Sequence, residues 1–524
     1  MLEFDVTNID YEDKQTWNLI CAGRTKGVFQ LESSLGKSWA KRLKPKNLEE
    51  LAALVALLRP GCLKAIVDGK SMTQHYVDRK HGKEQVTYLH DSLEPILENT
   101  QGVLVYQEQS MKIAQTIAGF NLQEADNLRK AIGKKKADLM IEVKKGFFKG
   151  AENENIVPRE TAEEIFSWIE KSNRYAFNKS HAVSYAICAY WSAYAKAHFP
   201  LKFYCQYLHF ADGKQDPQQE VKELVIDAKA NDIFIQPPSL HHINEDTDIV
   251  DGQIYFGFKS IKSIGSKQII KLKEETLNAE QNLNKKIDDW SWFDFLINLS
   301  MNIHSSTAIA IISLGITPSS NMSRTKMLDE FDTWKKLTKL ERSWVVDQQS
   351  HCSDLLSALI AVSPTKKEGG GTANINRSVI VNDFIRHTKS PSCSLSDDPE
   401  WITRTEERYL GVPLTYSKVE SCDTSMADTT CKEFLDGKKG KMKLAVTLTD
   451  VRKYTIKKGK SQGKDMAFLC VEDQTGSVDS VTIFPEELQK YKEILYGENT
   501  VILSCATSRK SDYDGMVVED VFQI

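Results

Sequence analysis

The order of apolar and polar residues predicts a chain that changes from helices to strands towards its C-terminal end. Residues 1 to about 235 carry helical patterns, of which 48–58 is the strongest, and Arg59-Pro60-Gly61 ends it. From about residue 440 the pattern favours short strands with turn residues between them, at 441–448, 467–471, 477–484 and 500–506. Together with a fifth short strand and one interposed helix near 485–495, these segments predict a small barrel of the OB type.

The middle of the chain is less regular. A short strand is predicted at 254–258, followed by an apolar segment, a glycine hairpin and a new helix within 261–270. Segments 366–371 and 387–392 have the composition of flexible linkers, so 321–435 is interpreted as a partly flexible connector that holds a few helices. We therefore expect a multidomain α+β protein that is mainly helical and ends in an OB-type β-barrel.

Composition narrows the function classes only slightly. The 524 residues are enough for three or four domains, and the net charge of −4 means that any nucleic-acid surface must be local. The ten cysteines form no CxxC pair and have no His partner at metal spacing, which indicates reduced structural thiols in a cytoplasm. The acidic N-terminus lacks a signal-peptide core, and the apolar run 182–197 is too short and polar to span a membrane.

The segment 174–181 combines basic, polar and aromatic residues directly before a long apolar helix. Lys and Arg side chains hold phosphate oxygens, and Tyr and Phe can stack on a base. The alternative is a solvated helix N-terminus with a few charges, and the octet alone does not separate the two. His181 taken by itself is more typical of a structural hydrogen-bonding residue than of a catalyst.

Three further segments carry groups that bind phosphate, each with a simpler alternative. Segment 125–149 is rich in Arg and Lys, which suits a polyphosphate or a DNA backbone but also a solvated helix. The glycine turn within 261–270 can aim backbone N–H groups at a phosphate, although a pattern this short also arises by chance. The barrel can bind single strands through lysines of its first hairpin, or serve only to dock another protein.

The sequence contains no pattern typical of metal-binding carboxylates. No paired carboxylates occur in the strand context that holds two magnesium ions for phosphoryl transfer. Asp5, Asp10 and Asp13 lack that setting, and no P-loop or Ser-His-Asp pattern is present. We therefore predict neither a catalytic residue nor a metal ligand in this chain.

Six ordered motifs across about 155 residues carry a specific resemblance. They are GVFQLES at 27–33, ALLRPG at 56–61, YLHDSLEPIL at 88–97, GVLVYQEQ at 102–109, LRKAIGKK at 128–135 and FNKSHA at 177–182. In sequence and order they resemble the C-terminal half of the bacterial replicative DNA polymerase III alpha subunits, the family C DNA polymerases. The resemblance covers roughly 1–320 and 436–524.

The resemblance implies a domain division and two sets of binding residues. It divides the chain into a fingers domain (1–235), a helix-hairpin-helix DNA-binding module (236–320), the connector (321–435) and an OB-fold domain (436–524). It assigns the incoming nucleotide to residues of the two basic segments: Arg129, Lys130, Lys134, Tyr175, Asn178, Lys179, Ser180 and His181. It assigns DNA to Lys135, Lys136, Lys262, Ser263, Gly265, Lys267, Lys457, Lys458 and Lys460.

The resemblance also implies what a complete enzyme would need. In the family the fingers follow a PHP domain, a thumb, and a palm whose three aspartates bind the catalytic Mg²⁺ ions. Because the chain begins about where the fingers begin, we expect a separate PHP/thumb/palm chain to complete a split DNA-directed DNA polymerase. This enzyme would use dNTP substrates to extend primer-template DNA, and the isolated chain would be inactive.

Further expected partners are the sliding clamp and other replisome proteins. The alternative is a non-catalytic DNA-binding relic or scaffold derived from such a polymerase.

Overall fold

The computed structural model describes residues 5–133, 137–172, 176–318, 322–362, 375–389, 395–457, 459–496, 499–507 and 515–524. The contacts between residues divide the chain into two compact units, Met1–Phe203 and Tyr204–Ile524. Within the described ranges, no helix has both the length and the apolar character needed to cross a membrane.

The first unit is a helical assembly with one small hairpin. Its helices are α1 Lys14–Cys21, α2 Ser34–Leu43, α3 Leu48–Leu57, α4 Pro60–Lys64, α5 Met72–Lys80, α6 Glu94–Leu97, α7 Gln107–Ala118, α8 Leu122–Gly133, α9 Ala137–Glu154, α10 Arg159–Ser172 and α11 Lys179–His198, followed by α12 Pro200–His209, which begins in this unit. The hairpin joins strands β1 Ile66–Val67 and β2 Lys70–Ser71 in antiparallel register.

The long helix α11 packs against α3, and alanines form much of this contact. Helix α3 begins where Asn47 Oδ1 accepts the Glu50 amide at 2.9 Å, and Pro60 opens the next helix. Ala182, Ala186 and Ala189 of α11 are fully buried in a core that also holds the apolar face of α3. Small side chains let the two helix backbones approach closely, which fixes where the first turn of α11 lies.

Helices α7 to α10 form a second core in the same unit. Ile113, Phe147 and Phe166 are buried in it, and the rings of Phe147 and Phe166 lie 5.1 Å apart. The carbonyl of Ala118 lies so close to Gly150 that a Cβ there would come within 2.1 Å of it, so glycine is required for α7 and α9 to pack.

The second unit contains further helices, a three-stranded sheet and a barrel. The helices are α13 Pro217–Ala230, α14 Ser266–Leu283, α15 Trp292–Asn298, α16 Ser305–Ser313, α17 Arg324–Lys336, α18 Lys339–Val346, α19 Leu355–Val362, α20 Ile375–Lys389, α21 Pro399–Leu410, α22 Cys431–Leu435, α23 Pro485–Lys490 and α24 Lys492–Leu495. The strands are β3 Ile235–Gln236, β4 Asp248–Val250, β5 Gln253–Tyr255, β6 Lys441–Thr455, β7 Asp465–Asp473, β8 Gly476–Ile483, β9 Thr500–Thr507 and β10 Met516–Gln523.

The five C-terminal strands close into a barrel in the order β6-β7-β8-β10-β9, with β9 returning to β6. All neighbours are antiparallel except β8 and β10, which are parallel, and α23 and α24 connect β8 to β9. Alternate residues of β6, such as Leu444, Val446 and Leu448, are fully buried in the barrel core. The multidomain α+β class and the C-terminal barrel of OB type are therefore confirmed.

One local prediction was confirmed but too long and another was wrong, each because of tertiary contacts. The strand predicted at 254–258 ends at Tyr255, and Phe258–Ser260 form a 3₁₀ turn. At Gly257 an added Cβ would lie 2.1 Å from the Glu245 carbonyl, so the chain turns here against 244–246. Residues 387–389, predicted as linker, instead end α20, where His387 Nδ1 lies 3.1 Å from Asp329 of α17. The rest of that segment and 366–371 lie outside the described residues.

Candidate functional site

The first turn of α11 presents a group of exposed polar side chains, Asn178, Lys179, Ser180 and His181. Asn178 caps the helix: its Oδ1 accepts the His181 amide at 2.9 Å and the Ser180 hydroxyl at 2.6 Å. A side-chain cap of this kind fixes where the helix starts. These four residues are among those that the resemblance assigns to nucleotide binding, and the cap places them on one exposed helix turn.

The start of α7 holds this turn in place. Phe177 lies in a short parallel bridge, in which its amide donates to the Val105 carbonyl and its carbonyl accepts from Gln107, both at 2.9 Å. Glu108 then accepts from Asn178 Nδ2 at 2.8 Å and from the Lys179 amide at 3.0 Å. The GVLVYQEQ and FNKSHA motifs are therefore partners in space, although about 70 residues separate them in the chain.

A row of aromatic side chains runs beside this turn. The ring centroids are 5.3 Å apart for Phe177 and His181, 4.0 Å for His181 and Tyr185, and 5.1 Å for Tyr185 and Phe29. At one end of the row the Arg59 guanidinium lies 4.1 Å from the centre of the Phe177 ring. This distance is within the range of a cation–π contact, and the planar guanidinium is suited to stacking.

A cavity of about 200 Å³ opens next to this row. Its walls come from three separate parts of the first unit: Gln30, Ser33, Leu35, Gly36, Val55, Leu58, Arg59, Phe177 and Tyr185. Gln30 adopts a left-handed backbone conformation with φ 64°, which is uncommon for a residue other than glycine. The GVFQLES, ALLRPG and FNKSHA motifs therefore meet at one cavity.

The groups at this surface are suited to an anionic, aromatic ligand. Aromatic rings can stack on a base, and stacking contributes about 1–3 kcal/mol per base. Lys179 and Arg59 supply positive charge for phosphate oxygens, and Lys179 Nζ lies 5.8 Å from the centre of the Tyr106 ring. Burial raises the pKa of the Tyr106 hydroxyl above its ordinary value.

The second predicted basic group lies on α8, which packs against α7. Asp126 Oδ1 accepts from Arg129 Nη2 at 2.7 Å, and its Oδ2 lies 2.6 Å from Lys130 Nζ. The hydrogen bonds from Lys130 and Arg129 lower the pKa of Asp126. Both cations are therefore paired within their own helix. Four other predicted residues lie outside the described residues, namely Lys134, Lys135, Lys136 and Tyr175.

The glycine turn of the second unit lies directly before α14. Lys262, Ser263, Gly265 and Lys267 are all exposed, and the Lys262 amide donates to the Tyr409 carbonyl at 2.8 Å. A 3₁₀ turn rather than an α-helix precedes it, so the helix expected on that side is shorter than a helix-hairpin-helix pattern suggests. Whether this turn binds DNA stays a prediction.

The first hairpin of the barrel carries exposed Lys457 and Lys460, while Lys458 lies outside the described residues. Beside them on the outer surface, Tyr454 and Phe468 have ring centroids 6.2 Å apart, and Arg452 lies opposite Phe468 in the β6–β7 register. Our predictions from sequence named the lysines but missed Arg452, Tyr454 and Phe468. The signal that could have identified them is their alternate placement along the two strands.

The sequence predictions also missed the cavity residues Arg59 and Tyr185, the neighbouring ring of Phe29, and the contact of Glu108. The signal was present, because all but Tyr185 belong to the six motifs. Motif membership did not indicate which side chains would converge. Among the residues that the structure describes, no three His, Cys, Asp or Glu side chains lie together in a way that could hold a metal ion.

Comparison with protein families identifies relatives of this chain. Residues 2–155 match the model of the bacterial DNA polymerase III alpha subunit finger domain. This range includes Phe29, Gln30, Arg59 and Glu108, and it ends before α11.

Curated proteins extend the similarity over nearly the whole chain. The DNA polymerase III subunit alpha of Aquifex aeolicus is 30% identical over 526 residues, which cover 99% of this chain and 40% of that protein. The proteins of the same name from Bacillus subtilis and Thermus aquaticus are 30% and 31% identical and cover 94% and 92% of this chain. The chain spans 36–40% of the length of these three relatives.

Proposed function

The chain belongs to the family of bacterial DNA polymerase III alpha subunits, and on that premise we propose that it binds the incoming dNTP and primer-template DNA in template-directed DNA synthesis. The observation that carries the proposal is the convergence of three motifs on one cavity. Aromatic rings for a base and cationic side chains for phosphates lie side by side there.

In this proposal the nucleotide contacts divide into two parts. The base and sugar lie along the row from Phe29 to Phe177, and the triphosphate lies at the first turn of α11, where Lys179 neutralises part of its charge. These groups position the substrate and stabilise charge rather than transfer protons. Arg129, Lys130 and Lys134 on the LRKAIGKK motif would contact the same triphosphate or the primer-template backbone.

DNA contacts are proposed for the second unit. The exposed turn at Lys262–Lys267 would hold the duplex backbone without reading its sequence. On the barrel, Tyr454, Phe468 and the neighbouring lysines would receive the single-stranded template by stacking and charge. The sliding clamp and other replisome proteins are proposed partners of the assembled enzyme.

The Mg²⁺ ions of the polymerase reaction are not assigned to this chain. The described residues do not fit a pair of Mg²⁺ ions, so no step of the proposal passes through a metal on this chain. We place the metal-binding carboxylates on a separate palm-bearing chain, which would complete a DNA-directed DNA polymerase. The competing function is a non-catalytic DNA-binding scaffold.

Primer extension tests the proposal. We would measure incorporation of dNTPs on a primed template by this chain alone, by a palm-bearing family chain alone, and by both together. The proposal predicts Mg²⁺-dependent synthesis only for the mixture. Robust synthesis by this chain alone would contradict the assignment of the carboxylates. DNA binding by the chain with no gain in the mixture would favour the scaffold.

A further inference from the structure

We infer that Glu108 is a positioning residue that caps α11 and occupies the first amide of the helix, so that anion binding at this turn depends mainly on side chains. The inference rests on the proposed function of this site and adds how it recognises phosphate. Glu108 is half-buried in the first turn of α7, and both of its carboxylate oxygens are used.

Two of the first N–H groups of α11 already have acceptors within the chain. The Lys179 amide donates to Glu108 Oε2 at 3.0 Å, and the His181 amide donates to Asn178 Oδ1 at 2.9 Å. The amides at a helix N-terminus otherwise form a common phosphate site. Here a carboxylate already accepts from the first of them.

With two of these amides occupied, side chains of the same turn become the main groups that can hold an anion. The Ser180 hydroxyl donates to Asn178 Oδ1 at 2.6 Å, so its proton is also engaged. Lys179 and His181 are exposed, with Lys179 Nζ 5.8 Å from the centre of the Tyr106 ring and the His181 ring beside those of Phe177 and Tyr185. We therefore assign the triphosphate to the Lys179 ammonium and the His181 ring.

Gln109, the residue after Glu108, holds the first turn of α7 in place. Its side chain is buried, and both its oxygen and its nitrogen form hydrogen bonds. Its Oε1 accepts the amides of Val105 and Tyr106 at 3.0 and 2.9 Å, and its Nε2 donates to Thr100 Oγ1 at 2.8 Å. These bonds fix the first turn of α7. The hydrogen bonds that Glu108 accepts from Asn178 and Lys179 then fix the start of α11 relative to that turn.

Glutamine is the informative substitution because it has the same shape but one acceptor. In Glu108→Gln the amide can accept from only one of the two donors, and its NH₂ group then faces the other donor. A hydrogen bond to a charged group contributes about 1.5–3 kcal/mol, so losing it changes an equilibrium by roughly 10- to 100-fold. A matched control is Glu124→Gln, because Glu124 Oε2 likewise accepts a backbone amide, that of Asn121 at 2.8 Å, at the start of α8.

The experiment uses the full chain and two probes, dATP and inorganic tripolyphosphate. Calorimetry gives the Kd of each, and amide hydrogen exchange followed by mass spectrometry gives the protection of the peptide that contains Lys179. We expect Glu108→Gln to speed exchange in this peptide roughly 10-fold or more and to raise both Kd values by a similar factor. Glu124→Gln leaves both readouts unchanged.

Each other result has a defined meaning. Tighter binding by Glu108→Gln would overturn the inference. It would mean that the Glu108 carboxylate lies where the phosphate should bind and competes with it. Faster exchange with unchanged Kd values would show that Glu108 holds the start of α11 but does not position the groups that bind the nucleotide. Unchanged exchange would show that Glu108 does not hold the start of α11. If the wild-type chain binds neither probe, the proposed function fails, while the exchange result still decides whether Glu108 holds α11.

Discussion

Two basic segments of the first unit look alike in sequence but differ in their surroundings. On α8, Arg129 and Lys130 both pair with Asp126 of the same helix. At the start of α11, the Lys179 amide is tied to Glu108 of α7, the Lys179 ammonium lies beside the Tyr106 ring, and the His181 ring belongs to the row that reaches Phe29. The density of positive charge is similar in both. The difference is the convergence of distant motifs, and this is what makes the second segment the stronger candidate for a nucleotide site.

The largest effect is expected for Lys179→Ala. Losing a charge-assisted hydrogen bond to phosphate should raise the Kd for dATP by roughly 10- to 100-fold, with a much smaller effect on primer-template binding. Calorimetry and a DNA mobility assay measure the two. The control is Lys112→Ala, an exposed lysine of α7. Equal losses in both variants would remove Lys179 from the site and erase the contrast between the two segments.

A smaller loss is expected for Arg59→Lys. The lysine keeps the charge but loses the planar group that stacks on Phe177, and a cation–π contact of this kind contributes about 0.5–2 kcal/mol. We expect the Kd for dATP to rise about 3- to 30-fold, while that for tripolyphosphate, which has no base, changes less. Arg24→Lys, another arginine of this unit, is the control. An equal change for the two ligands would mean that the row does not receive a base.

Stronger binding, instead of weaker binding, is expected for Asp126→Asn. Removing this carboxylate releases Arg129 and Lys130 from their pairing, so DNA binding should strengthen, by about two- to fivefold since exposed pairs are weak. The dependence of binding on salt should become steeper, because more cations then contact phosphates. Filter binding at several salt concentrations measures both, with Asp138→Asn of α9 as the control. Weaker binding would show that the α8 group acts through its geometry and not through free charge.

The smallest effect concerns pH. The pKa of Asp126 is lowered in the folded chain by Lys130 and Arg129, so its contribution to stability is present above its ordinary pKa near 3.8 and is lost as the pH falls through the lowered value. Because the pair is exposed, the contribution is small. Acid unfolding of the wild type and Asp126→Asn, followed by circular dichroism, should show a stability difference at pH 5 that disappears towards pH 2. A difference that grows on acidification would contradict the pairing.

Local sequence patterns determined much of the fold but little of the site. Helix α3 ends at Leu57, before Arg59-Pro60-Gly61 as predicted, and the strands of the barrel follow period-two patterns. The end of β5 at Tyr255 could not be predicted, because the close approach of Gly257 to residues 245–246 is a tertiary contact. The same holds for the site: Glu108 and Lys179 meet only because the Phe177 backbone bridges to Val105 and Gln107. Sequence order carries no information about that bridge.

The most direct test of the central claim is photocrosslinking of the full chain with 8-azido-dATP, followed by peptide mapping. We predict that labelling concentrates in peptides that contain Phe29 and Tyr185, that unlabelled dATP competes it away, and that Lys179→Ala reduces it while Lys112→Ala does not. Labelling confined to the α8 peptide or to the barrel, with none along the row from Phe29 to Phe177, would contradict the account.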